Sequence, residues 1–230
     1  MSASTLLPDG RSVGIATDLL ELLSVTVAVI DGVIVGPGVA VRPEIDRVSA
    51  VARERWSGCL PSEIEPLQEA RRLYRSVGIP PTRIRPSSEA LLRRVLHGHD
   101  LYSISNAVDA CNLASLTFLL PVGLYDLDKI SGDTVLRLGC PGEEYPGIRK
   151  GPVHLEGRLG LFDDEGPFGS PTSDSSRTCV DETTTRLLAV VMATAGYPGE
   201  ELERAAALLS RCLCDYCGGT VASYARLGKS

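Results

Sequence analysis

The chain is poor in aromatic residues, has almost no lysine beside its arginines, and carries only three histidines. It also lacks any apolar run near the roughly 20 residues that a membrane-spanning helix needs, so no membrane span is expected. The opening MSASTLLPDGRS has neither the basic start nor the apolar centre of a secretory leader, which makes a cytoplasmic location the expectation. G-x-x-x-x-G-K-[ST], G-x-S-x-G and H-E-x-x-H are all absent, which removes the usual nucleotide hydrolases, serine hydrolases and zinc peptidases. A formal net charge of -6 argues against a phosphate-binding surface spread over the whole molecule, because phosphate contacts need Lys and Arg.

Seven cysteines are present. An odd number without a leader reads as reduced thiols rather than a disulfide framework. Cys212, Cys214 and Cys217 form C-x-C-x-x-C, three thiolates where a structural zinc wants four ligands, with no His close by. They read instead as small apolar side chains of a C-terminal helix, and no metal or other cofactor is expected.

At 230 residues the chain fits a single domain with a sizeable core. Pattern predicts a short helix over 14–23, then a β-hairpin over 24–36 turning at Asp31-Gly32. Helices are expected over 43–57, with Pro43 in the first turn, and over 63–77, ending at Gly78. Pro86-Ser87-Ser88-Glu89 opens a further helix, with Ser87 or Ser88 as its cap. A central helix over 104–119 ends at Pro121 and Gly123, and a turn carries Tyr125 to Ile130. Val135–Leu138 and Leu159–Phe162 read as strands, and Cys140–Gly151 and DDEGPFGSPTSDSSRT as loops. Thr185–Ala195 is a strand or helix with strand favoured at its start, and an amphipathic helix begins at Gly199. Helices and strands mix without a regular βαβ rhythm, which gives α+β, or layered α/β, as the fold class.

The densest information lies in Ile104–Gly132, ISNAVDACNLASLTFLLPVGLYDLDKISG. Asn106, Asp109 and Asn112 recur every three residues, which stacks them on one helical face. Asn and Asp are poor helix-interior residues, so such a face caps something, ties down a neighbouring backbone or lines a polar pocket. Asp109 suits a structural role, whereas Asn112 suits either.

This block resembles the B3/B4 domain of the bacterial phenylalanyl-tRNA synthetase beta subunit. There an N-x-V-D-x-T-N helix leads into G-x-P-x-H-A-F-D-L-D-K-I. The matching residues are Asn106, Val108, Asp109 and Asn112, then Pro121 and Tyr125-Asp126-Leu127-Asp128-Lys129-Ile130. Free-standing B3/B4 proteins are similar over most of the chain, with Gly78, Pro81, Arg85, Pro86, Ser87, Glu89, Ala90, Leu91, Arg93 and Arg94 falling on their pattern. The resemblance implies the B3/B4 fold over 1–230, with 1–60 as its N-terminal portion and 199–230 as a C-terminal helix. It also implies a pocket for the aminoacyl-adenosine end of a tRNA. Cys111 stands where the family has a Thr hydroxyl, Gly123 where it has a pocket His, and Ala189 or Val190 near its pocket Glu.

Asn112, Cys111 and Gly123 are therefore expected at a substrate pocket. The loop residues Asp174, Ser175 and Arg177 join them, because a carboxylate, a hydroxyl and a guanidinium together can bind an amine, a carboxylate or a phosphate. The competing reading of that loop is a solvated cap on the next element. No catalytic residue is assigned. Arg85, Arg93 and Arg94, in an arginine-rich segment, are candidates for an RNA backbone, against a solvated helix face with structural ion pairs. The first functional expectation is recognition of an aminoacyl-tRNA end, with or without hydrolysis of a mischarged amino acid. The alternative is a non-catalytic module binding a free amino acid or small metabolite.

Overall fold

A computed structural model describes residues 3–148 and 151–228. The elements run β1 (Ser4–Leu6), β2 (Ser12–Ile15), β3 (Leu23–Asp31), α1 (Arg42–Trp56), α2 (Leu67–Ser76), α3 (Ser87–Leu96), α4 (Asn106–Phe118) and β4 (Val122–Asp126). There follow β5 (Thr134–Leu138), β6 (Glu144–Pro146), β7 (Pro152–His154), β8 (Leu159–Asp163), β9 (Gly166–Gly169), β10 (Arg186–Thr194), α5 (Gly199–Cys217) and β11 (Thr220–Gly228). The α+β class expected from the sequence is what is observed.

Two sheets face each other. One has the order β11-β3-β10-β4 and is antiparallel throughout; the other has the order β1-β2-β5-β8-β9, with β2 and β5 its parallel pair. On one face of the four-stranded sheet, Ala28, Ile30, Ala189 and Val191 pack against α1, α3, α4 and α5. On its other face, Val27, Val29, Leu188 and Val190 meet Leu136, Leu161 and Phe168 of the five-stranded sheet, with Leu73 and Tyr74 of α2 closing one side. The layers are thus helices, sheet, sheet. Because both strands are covered on both faces, β3 and β10 are buried along almost their whole length; β10 reads as an apolar run from Leu187 to Ala193, whereas β3 also buries Ser24 and Thr26.

Several expectations are corrected. Residues 14–23 are not a helix: β2 ends there and a single 3-10 turn, Thr17–Leu19, leads into β3. No hairpin turns at Asp31-Gly32. Gly32 takes φ +75 and the chain leaves the sheet, while β3 pairs with β10 and β11 from far along the sequence. Neither Ser87 nor Ser88 caps α3; the Ser88 hydroxyl donates to the Leu119 carbonyl at 3.0 Å and fastens α3 to the end of α4. The polar loop is partly the β8–β9 hairpin. The C-terminal helix stops at Cys217, and residues 220–228 form β11 on the edge of the sheet. Within residues 1–60, β3 is an interior strand of the four-stranded sheet. Residues 149–150 of the expected loop and 229–230 of the expected helix lie outside the described residues.

Candidate functional site

The helix face of Asn106, Asp109 and Asn112 divides in two. Asn106 Oδ1 accepts from the backbone N–H groups of Gly36 and Ala107, each at 2.9 Å. Its Nδ2 donates to the carbonyls of Ile34 and Tyr216 at 2.8 and 2.9 Å. Asp109 accepts from the Ser103 hydroxyl and the Ile104 N–H, both at 3.0 Å. These two residues tie three chain segments to the start of α4, which is the structural role foreseen for Asp109. Asn112 makes no side-chain hydrogen bond among the described residues.

A second polar cluster forms between the sheets. The segment after β9 folds back on itself: the Ser170 N–H donates to the Ser173 carbonyl, the Ser175 N–H to the Phe168 carbonyl, and the Ile148 N–H to the Asp174 carbonyl. Tyr145 of β6 donates to the Ser173 carbonyl, and Tyr74 of α2 donates to the Pro171 carbonyl at 2.6 Å. This ordering fixes Asp174. Protein surrounds its carboxyl on every side, yet the residue keeps some contact with water, and no cation pairs with it among the described residues.

Burial pushes the Asp174 carboxyl up to about 7, against the opposing pull of the Tyr125 hydroxyl and the Leu124 backbone. Its charge is felt by side chains from four elements: Tyr74 of α2, Cys111 of α4, Tyr125 of β4 and Tyr145 of β6. Burial first, and the Asp174 charge second, hold the Cys111 thiol far above the usual range. Cys111 is accordingly a protonated thiol and not a poised nucleophile.

Tyr125 is fully buried, and its ring meets Phe168 edge-on at 5.0 Å. A Cβ added at Gly123, two residues back on the same strand face, would overlap the Tyr125 hydroxyl, and so would one at Gly169 of β9. The space over Gly123 is therefore filled by a phenol. That hydroxyl lies beside Asp174 but closes no hydrogen bond of normal geometry, leaving it an unpartnered buried donor.

Cys111, Gly123 and Asp174 thus come together around Tyr125. Ser175 and Arg177 do not join them as ligand groups. The Ser175 hydroxyl accepts from the Arg177 N–H at 2.9 Å. Arg177 donates to both oxygens of the fully buried Asp163 carboxylate at 2.8 and 2.9 Å, donates to the Lys129 carbonyl, and also pairs with Glu165. Tyr74, Tyr125 and Tyr145 were not foreseen. The available signal was seven Tyr against three Phe, since a buried phenol needs a polar partner.

A cavity of about 640 Å³ lies elsewhere, between Gly36, Gly38, Ser103, Ser105, Asp181 and Thr183 at the start of α4. Asp174, Cys111 and Tyr125 do not line it, and Asp174 holds the titratable chemistry. Cys212 and Cys217 are buried thiols pushed up to about 11 and about 12 by desolvation. No group of three metal-ligating side chains occurs among the described residues.

The family model of the B3/4 domain matches residues 69–217, which covers every element from α2 to α5. The chain belongs to the B3/4 domain family. Among solved structures it is similar to an N-terminal fragment of the phenylalanyl-tRNA synthetase beta-subunit from Pyrococcus horikoshii, at 20% identity and a TM-score of 0.41. That similarity covers 50% of this chain and 41% of the fragment, so this chain spans less than half of the fragment it matches. Curated proteins give no match. Among the described residues no helix is long and apolar enough to cross a membrane. In B3/4 terms, the Asp174 cluster is built from α2, α4, β4, β6 and the segment after β9, all within the matched region.

Proposed function

We propose that this B3/4 protein binds the aminoacyl-adenosine end of a tRNA and hydrolyses its ester, with Asp174 as the general base. The observation that carries the reading is a walled-in carboxyl without a cationic partner, raised to about 7. A base is most useful when its pKa lies near the working pH. Asp174 in its ionised form takes a proton from water as the water oxygen bonds to the ester carbonyl carbon. The ribose oxygen then leaves with a proton, giving free amino acid and tRNA. Cys111, held as a thiol, contributes a weak donor rather than an acyl-enzyme. The pocket His of the resembling synthetase domain falls on Gly123, and the Tyr125 hydroxyl fills that space beside Asp174. Asn112, next to Cys111 on α4 and without a side-chain hydrogen bond among the described residues, is the candidate for orienting the substrate.

The reading is tested by incubating the full chain with tRNAs carrying a labelled cognate or non-cognate amino acid and measuring release. Asp174→Asn abolishes release while leaving the chain folded. If the wild-type protein neither deacylates nor binds any aminoacyl-tRNA, the reading fails. One observation also favours the non-catalytic alternative: a carboxylate lacking a cation suits the α-ammonium of a free amino acid. Thermal stabilisation by an amino acid, unaffected by tRNA, would select that alternative.

A further inference from the structure

Arginines crowd one buried carboxylate on the helical side of the molecule. Glu89, in the first turn of α3, is 1% exposed. Arg71 of α2 reaches across with two nitrogens, each donating to a different Glu89 oxygen at 2.8 Å. Arg93 lies four residues after Glu89 on the same helical face, and Arg85 stands just ahead of the helix, before Pro86. Their nitrogens approach the Glu89 Oε1 atom to 3.9 and 4.0 Å, inside electrostatic range and outside hydrogen-bond range. One carboxylate, already satisfied by Arg71, thus holds two further guanidiniums whose donors remain uncommitted.

The local charge is positive by two. Measured to one shared oxygen, the approaching nitrogens of Arg85 and Arg93 are less than about 8 Å apart. A phosphate accepting at charge-assisted lengths of about 2.8 Å can bridge such a pair. Arg75 and Arg83 are exposed and without a carboxylate partner among the described residues. Arg94 does not belong to the set, because it donates to the Asp100 carbonyl and stacks on Tyr102 at 3.7 Å.

A second, independent feature adjoins Arg93. A cavity of about 320 Å³ is walled by Trp56, Cys59, Leu60, Pro61, Arg93 and His97. Trp56 is the one tryptophan in the chain and is half-buried, with Arg55 stacked at 5.1 Å from its centre. An aromatic wall beside a pair of free guanidiniums is the combination that single-stranded nucleic acid uses, stacking for the base and cations for the backbone.

We infer that Arg85 and Arg93, held by Glu89 together with Arg71, bind a backbone phosphate of single-stranded RNA, and that the Trp56 cavity takes the adjoining nucleoside. The choice of RNA rests on the proposed function, but the site does not use the Asp174 cluster. The test is therefore made with an RNA that carries no amino acid.

The full chain is titrated with a short single-stranded RNA oligonucleotide while Trp56 emission is followed, and with the labelled oligonucleotide by anisotropy. Binding with quenching of Trp56 is expected. Arg85→Ala with Arg93→Ala weakens it on the order of tenfold or more and lowers the salt slope by about 0.7, as for one phosphate contact on a single strand. Arg204→Ala with Arg211→Ala, on the exposed face of α5, removes the same charge and changes little. Absence of binding, or equal weakening by both double variants, overturns the inference. Competition by inorganic phosphate as effective as by RNA, with Trp56 emission unchanged, overturns the nucleoside half. Failure here leaves ester hydrolysis standing, and failure of deacylation leaves this result interpretable.

Discussion

Tyr125 folds back over Gly123, two residues earlier on the same strand face, and its hydroxyl occupies the space where a Gly123 side chain would begin. Gly169 closes the other side of the same hydroxyl. A phenol held this way, beside Asp174 but without a closed hydrogen bond, acts mainly on that carboxyl. Tyr125→Phe should leave stability unchanged or raise it by up to about 1 kcal/mol, because a buried donor without a partner is removed. It should also move the Asp174 titration above about 7, since the hydroxyl favours the ionised form. Chemical denaturation and carboxyl-selective NMR titration measure the two effects separately. A carboxyl that titrates unchanged in Tyr125→Phe would disprove the coupling.

Asp174 itself links stability to pH. Its folded value, about 7, lies above its ordinary value of 3.8, so the folded state holds a proton that the unfolded chain gives up. Stability from this group is present below about pH 4 and is lost as pH rises through 7. Asp174→Asn should therefore be more stable than the wild type at pH 8, on the order of 2 kcal/mol after allowance for residual solvent contact, and nearly equal to it at pH 4. Urea denaturation at the two pH values reads this directly. An Asn variant less stable than the wild type at pH 8 would contradict it.

Arg177 is a fastener. Its loss strands the Asp163 carboxylate, which is fully buried and, among the described residues, otherwise bonded only to the N–H groups of Ser131 and Glu165. Arg177→Ala should cost about 3 kcal/mol, as breaking one side of a buried ion pair does. The remaining folded fraction should bind ligand at Asp174 normally. A variant of wild-type stability with lost ligand binding would restore Arg177 to the site.

Asn106→Ala removes four hydrogen bonds at a residue 8% exposed and leaves the Ile34 and Tyr216 carbonyls and the Gly36 N–H without it. A loss of about 3 kcal/mol or more is expected. Thermal unfolding measures it, and a change under 1 kcal/mol would show that water replaces the amide.

What the sequence revealed follows the range of the forces involved. The helices α1 to α5 were legible because apolar spacing, Pro43 in the first turn of α1 and Gly78 after α2 are local signals. The block from Asn106 to Ile130 was legible because its polar residues serve one fold, and Asp126 and Asp128 do cap and pair there, with Thr184, Lys129 and Arg186. The β3 segment was misread as a hairpin because Asp31-Gly32 is a true turn signal, whereas its actual partner β10 begins at Arg186. The strand β11 was missed since its pairing with β3 is equally remote. Cys111, Gly123 and Asp174, which lie around Tyr125, were singled out from motif and composition. Tyr125 was not, because its importance lies in the emptiness of Gly123 and Gly169 around it. Arg177 was misplaced because a free arginine and one paired with Asp163 look alike in sequence.

The central claim is that Asp174 acts as a base on an aminoacyl ester, and the pH profile of deacylation tests it most directly. The wild type should rise through a midpoint near pH 7 to a plateau, following ionisation of that carboxyl. Asp174→Asn should be flat and near background over the same range. A variant that keeps the wild-type rate and profile would contradict the account.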